Sequence, residues 1–199
     1  MRIAAAIIAT TLAAGAAQAA TVAYGSTQVD GSGGINPVGG TSMASFVPGI
    51  FAAETTTPAS EWVWADLPGV ANDLQDVNAA VFEFTFDLTG YDLSTVELAG
   101  RWGVDNYGEI FLNGTSIGGL LSQLDMSNFT TLHDYGTVDG GLFLSGVNVL
   151  QFSVNDAGGQ AGFRATAVVT ADLAAVPLPA GAALLGLGLG ALAFGRRKA

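Results

Sequence analysis

Along residues 80–88 the chain reads AVFEFTFDL, in which Phe82, Phe84 and Phe86 alternate with Glu83, Thr85 and Asp87. A period of two, with one apolar and one polar face, predicts a half-buried β-strand. VLQFSVN (149–155) repeats the pattern, with Leu150, Phe152 and Val154 facing one way. EIFLNGTSIGG (109–119) sets Asn113-Gly114 between two short apolar runs. A two-residue hairpin needs positive φ at both central positions, and Asn-Gly meets that need. FRATAVVTA reads as a closing strand, and TVAYGST, ASFVPGIF, EWVWA, TVELAG and FTTLHDY as further strands. No stretch of this region keeps a helical period, although GGLLSQLDM (118–126) has room for one or two turns. The Gly/Ser/Thr-rich stretches near 30–42 and 54–60 read as loops. About nine or ten short strands with Gly-rich turns predict an all-β fold, an antiparallel β-sandwich of jelly-roll type.

The two ends follow other patterns. Residues 1–19, MRIAAAIIATTLAAGAAQA, run from the basic Arg2 through an apolar stretch to Ala17-Gln18-Ala19. That order predicts a secretory signal peptide cleaved after Ala19. Residues 176–195 carry no charge, and Arg196, Arg197 and Lys198 follow. About 20 apolar residues span a bilayer as a helix. The basic cluster then stops transfer and keeps the C-terminus in the cytoplasm. Pro177 and Pro179 move the start of the transmembrane helix to about residue 180, so the predicted span is 180–195. Three regions result: signal peptide 1–19, exported β-sandwich domain 20–175, and tail 176–199.

The tail, VPLPAG followed by an apolar run and GRRKA, resembles the VPLPA variety of the PEP-CTERM sorting signal of Gram-negative bacteria. The family's order of proline motif, hydrophobic span and basic end is matched in full. The resemblance implies recognition by an exosortase, an integral-membrane protease-like enzyme that reads Val176, Pro177, Leu178, Pro179 and Ala180. It implies a protein held briefly in the inner membrane, domain outside, and then passed to the cell surface or beyond. RWGVDNYGEIFLNGTSIGG and NVLQFSVNDAGGQAGFRATAVV further resemble the sandwich of many PEP-CTERM cargo proteins, itself distantly similar to galactose-binding-type carbohydrate modules. In sugar-binding sandwiches loop aromatics stack on sugar faces while Asp, Asn and Arg bind hydroxyls. On that resemblance Trp102, Asp105, Asn106, Tyr107 and Arg164 are the candidate ligand-binding residues.

Charge narrows the partners. All 17 acidic residues lie between Asp30 and Asp172, where only Arg101 and Arg164 oppose them. Phosphate contacts need Lys and Arg, so nucleic acid is excluded as a partner. Neutral sugars, cations, or basic or polar surfaces fit the charge balance better. There is no cysteine and a single histidine, which excludes disulfides and cysteine- or multi-histidine-bound metal. The cation this composition suits is calcium, a seeker of oxygen ligands, with Asp105, Asn106 and Glu109 as candidates.

Catalytic patterns are thin. Gly114 to Gly118 fits G-x-S-x-G around Ser116, with Asp125 and His133 following. That motif works on a strand-to-helix turn, and here the serine sits on the outgoing arm of a hairpin. Glu83, Glu97 and Glu109 lie on predicted strands and are the carboxylates to examine for glycoside hydrolysis. The sequence thus reads as an exported, exosortase-sorted surface or matrix protein with a non-catalytic sandwich and no cofactor, calcium apart. A carbohydrate-binding module for exopolysaccharide is the alternative reading, and a small glycoside hydrolase the third.

Overall fold

A computed structural model describes residues 19–45, 49–67 and 79–175; the expectations for residues 1–18 and 176–199 lie outside them. Eleven strands are described: β1 (Ala20–Ser26), β2 (Asn36–Pro37), β3 (Thr41–Ala44), β4 (Val63–Asp66), β5 (Ala79–Asp87), β6 (Glu97–Asp105), β7 (Tyr107–Leu112), β8 (Thr115–Leu120), β9 (His133–Thr137), β10 (Val147–Asn155) and β11 (Gly162–Ala171). A single-turn helix, α1, covers Ser127–Thr130.

The strands form two antiparallel sheets. One runs β3-β4-β11-β6-β9, with β1 paired to β11 as well; the other runs β2-β5-β10-β7-β8. From β4 onward each strand crosses to the opposite sheet, except at the β7–β8 hairpin. This sets β4-β11-β6-β9 against β5-β10-β7-β8, the strand order of a jelly roll. The predicted class and strand pattern therefore describe the fold.

Alternation decides which side chains are inside. On β5 and β10, Phe82, Phe84, Phe86, Leu150, Phe152 and Val154 are buried while the residues between them are more exposed. Phe152 sits at the centre, its ring centroid 5.1 Å from Phe163, 5.5 Å from Tyr135 and 6.0 Å from Trp102. At the tip of the β7–β8 hairpin Asn113 and Gly114 have φ of 50° and 80°, the left-handed pair that the sequence selects.

Four expected segments differ; in FTTLHDY, Phe129 and Thr130 belong to α1 and the strand begins only at His133. Among the described residues of ASFVPGIF only Ala44 lies in a strand, the end of β3; Phe51, and Ala52 after it, lie in a loop. GGLLSQLDM makes no helix: Gly118–Leu120 extend β8, and α1 begins only at Ser127, where the Asp125 carboxylate accepts from the Ser127 N–H. The stretch near 30–42 contains β2 and the start of β3, whose pairing with β5 and β4 overrides their turn-rich composition.

A second apolar cluster, Phe51, Ala52, Trp62, Phe129 and Leu132, is distinct from the core between the sheets. Phe51 stands edge-on to Trp62 at 4.7 Å. Gly103 makes room for this cluster, since a Cβ there would lie 3.0 Å from both Trp62 and the Asn128 carbonyl. The ladder between β6 and β11 is interrupted beneath residues 100–101. There the Arg101 N–H donates to the Thr166 hydroxyl, and the Tyr135 hydroxyl donates to the Thr166 carbonyl.

Candidate functional site

At one end of the sandwich β6 stops at Asp105 and β7 starts at Tyr107, so Asn106 alone makes the crossing. Its backbone N–H donates to the Asn155 carbonyl at 2.9 Å, and its side-chain oxygen accepts from the Ala157 N–H at 2.7 Å. Asn128, buried within α1, donates to the carbonyls of Asn106 and Ser122 at 2.7 and 2.9 Å. Three chain segments are thereby fastened around Asp105 and Asp156.

Both of these carboxylates are inside the protein: Asp105 is 9% exposed and Asp156 5%. Neither oxygen of Asp156 has a hydrogen-bond partner. Burial raises its pKa, against the smaller downward pull of the nearby Gly158 and Ala157 N–H groups. Burial, and then the negative charge of Asp156, push the Asp105 carboxyl up to about 6. A buried charge without a counter-charge destabilises the state that carries it. The pair therefore either holds protons or needs a positive partner.

The other candidate residues scatter. Trp102 is 2% exposed and packs on Phe152, so its indole face is not offered for stacking. Arg164 is buried and spent on structure: it donates to Ser60 Oγ and to the carbonyls of Ala52 and Glu54 at 2.8–2.9 Å. Tyr107 is half-buried at the start of β7. Glu109 does not join Asp105, because it accepts from the Ser116 hydroxyl at 2.6 Å across the β7–β8 hairpin. Among the described residues no group of three or more His, Asp or Glu gathers as a metal cluster.

The G-x-S-x-G reading is resolved by the same hairpin. Ser116 lies in β8 and not on a strand-to-helix turn. His133 Nε2 sits 2.9 Å from the Ser127 carbonyl. Glu83 is engaged by the Gln151 amide, and Glu97 is exposed at the start of β6.

A second feature lies at the flank where both sheets end. β8 is the edge strand of one sheet and β9 of the other, and a groove of ≈ 540 Å³ opens between them. Ile117–Leu120 form one wall and His133–Gly136 the other, with Trp102 and Ile110 at the base. Edge strands leave backbone N–H and C=O groups unpaired, so both walls carry donors and acceptors beside apolar side chains. Asp134 stands exposed at the rim, where the Arg101 Nε donates to it at 3.2 Å. Asp156 and this groove escape a reading of the sequence. NDAGG looks like a plain turn, and the meeting of β8 with β9 is set by topology.

No family model and no curated protein matches the chain. Among solved structures it is similar to a family 35 carbohydrate binding module from an environmental isolate. That match has 13% identity over 73% of this chain and 96% of that one, with a TM-score of 0.38. A family 35 carbohydrate binding module from Clostridium thermocellum matches at 13% identity over 73% of this chain and 97% of that one, TM-score 0.37. A β-D-mannosidase from Dictyoglomus thermophilum matches 46% of this chain at 20% identity, TM-score 0.32; this chain spans only 11% of its length.

Proposed function

We propose that this protein is an exported, non-catalytic β-sandwich that recognises extracellular polysaccharide through the groove between β8 and β9. The observation that carries the reading is the make-up of that groove. Sugars present apolar C–H faces and a rim of hydroxyls, and sites for them combine an apolar base with a few placed polar groups. Ile117 and Leu120 supply the first; His133, Asp134 and two unpaired strand edges supply the second. The strongly acidic surface suits a neutral or cation-bridged polymer better than an anionic one. The placement of Ser116, which serves Glu109, favours a binding role over a hydrolytic one.

Calorimetric titration of the full chain with the producing organism's own exopolysaccharide tests this. Saturable binding is expected, weakened about tenfold or more by Asp134→Ala, as loss of a charged hydrogen-bond acceptor implies. Absence of saturable binding, or binding unmoved by both Asp134→Ala and Leu120→Asp, would leave a passive matrix protein.

Delivery follows from the sequence of the ends: export by the signal peptide, then retention and processing by an exosortase that reads Val176-Pro177-Leu178-Pro179-Ala180. Mass spectrometry of the surface-exposed protein is expected to lack peptides containing Phe194. Their recovery would refute the processing.

A further inference from the structure

We propose that Asp105 and Asp156 bind one divalent cation of the calcium type, which fastens the β6–β7 crossing to the loop after β10. The site is separate from the groove and does not rest on the reading given for it.

The inference rests on what surrounds the two carboxylates. Among the described residues Asp156 is the one carboxylate with both oxygens buried and unpartnered. Carboxylates at this depth are ordinarily paired, hydrogen-bonded or bound to metal. The described chain brings them no cationic side chain. Arg101 is paired with Glu54 and Asp134, and Arg164 is taken up by Ser60 and the carbonyls of Ala52 and Glu54. The frame that holds the two residues is nonetheless complete. Asn106, Asn128, Asn155 and Ala157 satisfy one another around them. A frame this well bonded around the buried Asp105 and the unpartnered Asp156 has the form of a preorganised site.

The donor chemistry selects the ion. Two carboxylates offer up to four oxygens and two negative charges, which one divalent cation neutralises. No thiolate exists in the chain, and its single imidazole lies against Ser127, so zinc-type ligation is absent here. Calcium accepts an irregular set of six to eight oxygens and completes it with carbonyls or water. Two charged ligands place the affinity at about 10⁻⁴–10⁻³ M, the range of extracellular modules.

The test is titration of calcium chloride into the full chain freed of metal by a chelator, with thermal unfolding alongside. One calcium per chain is expected. The unfolding midpoint should rise by about 5 °C at roughly a hundredfold excess over Kd. Asp105→Asn and Asp156→Asn should each weaken calcium at least tenfold. Both should fold without metal, since each removes a buried charge. Glu109→Gln should bind calcium as the unaltered chain does. The proposal is overturned if the unaltered chain takes up no calcium and its midpoint is the same in calcium and in chelator. It is equally overturned if calcium binds but neither asparagine variant weakens it.

Discussion

The two ends of β10 handle the same problem in opposite ways. At its start Asn148 is completely buried, and its amide is saturated. Its oxygen accepts from the Leu144 N–H and the Asn113 amide, each at 2.8 Å. Its nitrogen donates to the Leu144 and Gly146 carbonyls at 2.9 and 2.8 Å. Just past the other end, roughly 27 Å away at the usual strand rise, Asp156 is almost as deep and has no hydrogen-bond partner at all. An amide carries donors and an acceptor, so a turn can satisfy it from its own backbone. A carboxylate only accepts and brings a charge, which backbone groups do not neutralise. The first end is complete by itself; the second is built around something the chain does not provide.

The largest expected effect lies at the saturated end. Asn148→Ala strands the Leu144 N–H and the partners around it, and should cost about 3 kcal/mol or more in urea unfolding. A loss below about 1 kcal/mol would mean that water replaces the amide and that the two ends differ less than their geometry implies.

A somewhat smaller effect lies at the other end, and pH reveals it. Asp105 titrates near 6 in the folded chain against an ordinary 3.8, and Asp156 is raised as well. The folded state therefore holds these protons more tightly than the unfolded one. Its stabilisation by them is full below about pH 4 and is lost as the pH rises through about 6, a loss of roughly 2–3 kcal/mol by pH 7. The exposed Asp30, Asp87, Asp92 and Asp125 are lowered by their Ser or Thr partners and act below that window. Stability measured in chelator should therefore fall between pH 4 and 6. Asp105→Asn should flatten the fall, and Asn148→Ala should lower the whole curve without changing its shape. A flat curve for the unaltered chain would show that the carboxylates are solvated and the contrast between the ends is false.

The period-two pattern made most of the strands legible, because half-burial writes itself into alternate residues, as on β5 and β10. Asn113-Gly114 was legible because few other dipeptides take two positive φ values cheaply. Trp102 is in phase with Leu98 and Val104 on β6, the buried set, so the alternation itself argues for the core. Arg164 was not legible in the same way. It occupies the outward phase of β11, and only the tertiary course of the 52–60 loop, lying across that face, takes it from solvent. The Asp105–Asp156 pairing joins residues 51 positions apart, through a crossing that no local pattern announces.

The way Arg164 holds that loop has a consequence for the conditions the domain tolerates. Its three partners are two carbonyls and a hydroxyl, none of which titrates. An ion pair such as Arg101 with Glu54 weakens in brine and dissolves in acid. A buried guanidinium seated on carbonyl dipoles is little affected by either, so this hold on the loop outlasts salt and acid that would release the Arg101–Glu54 pair beside it.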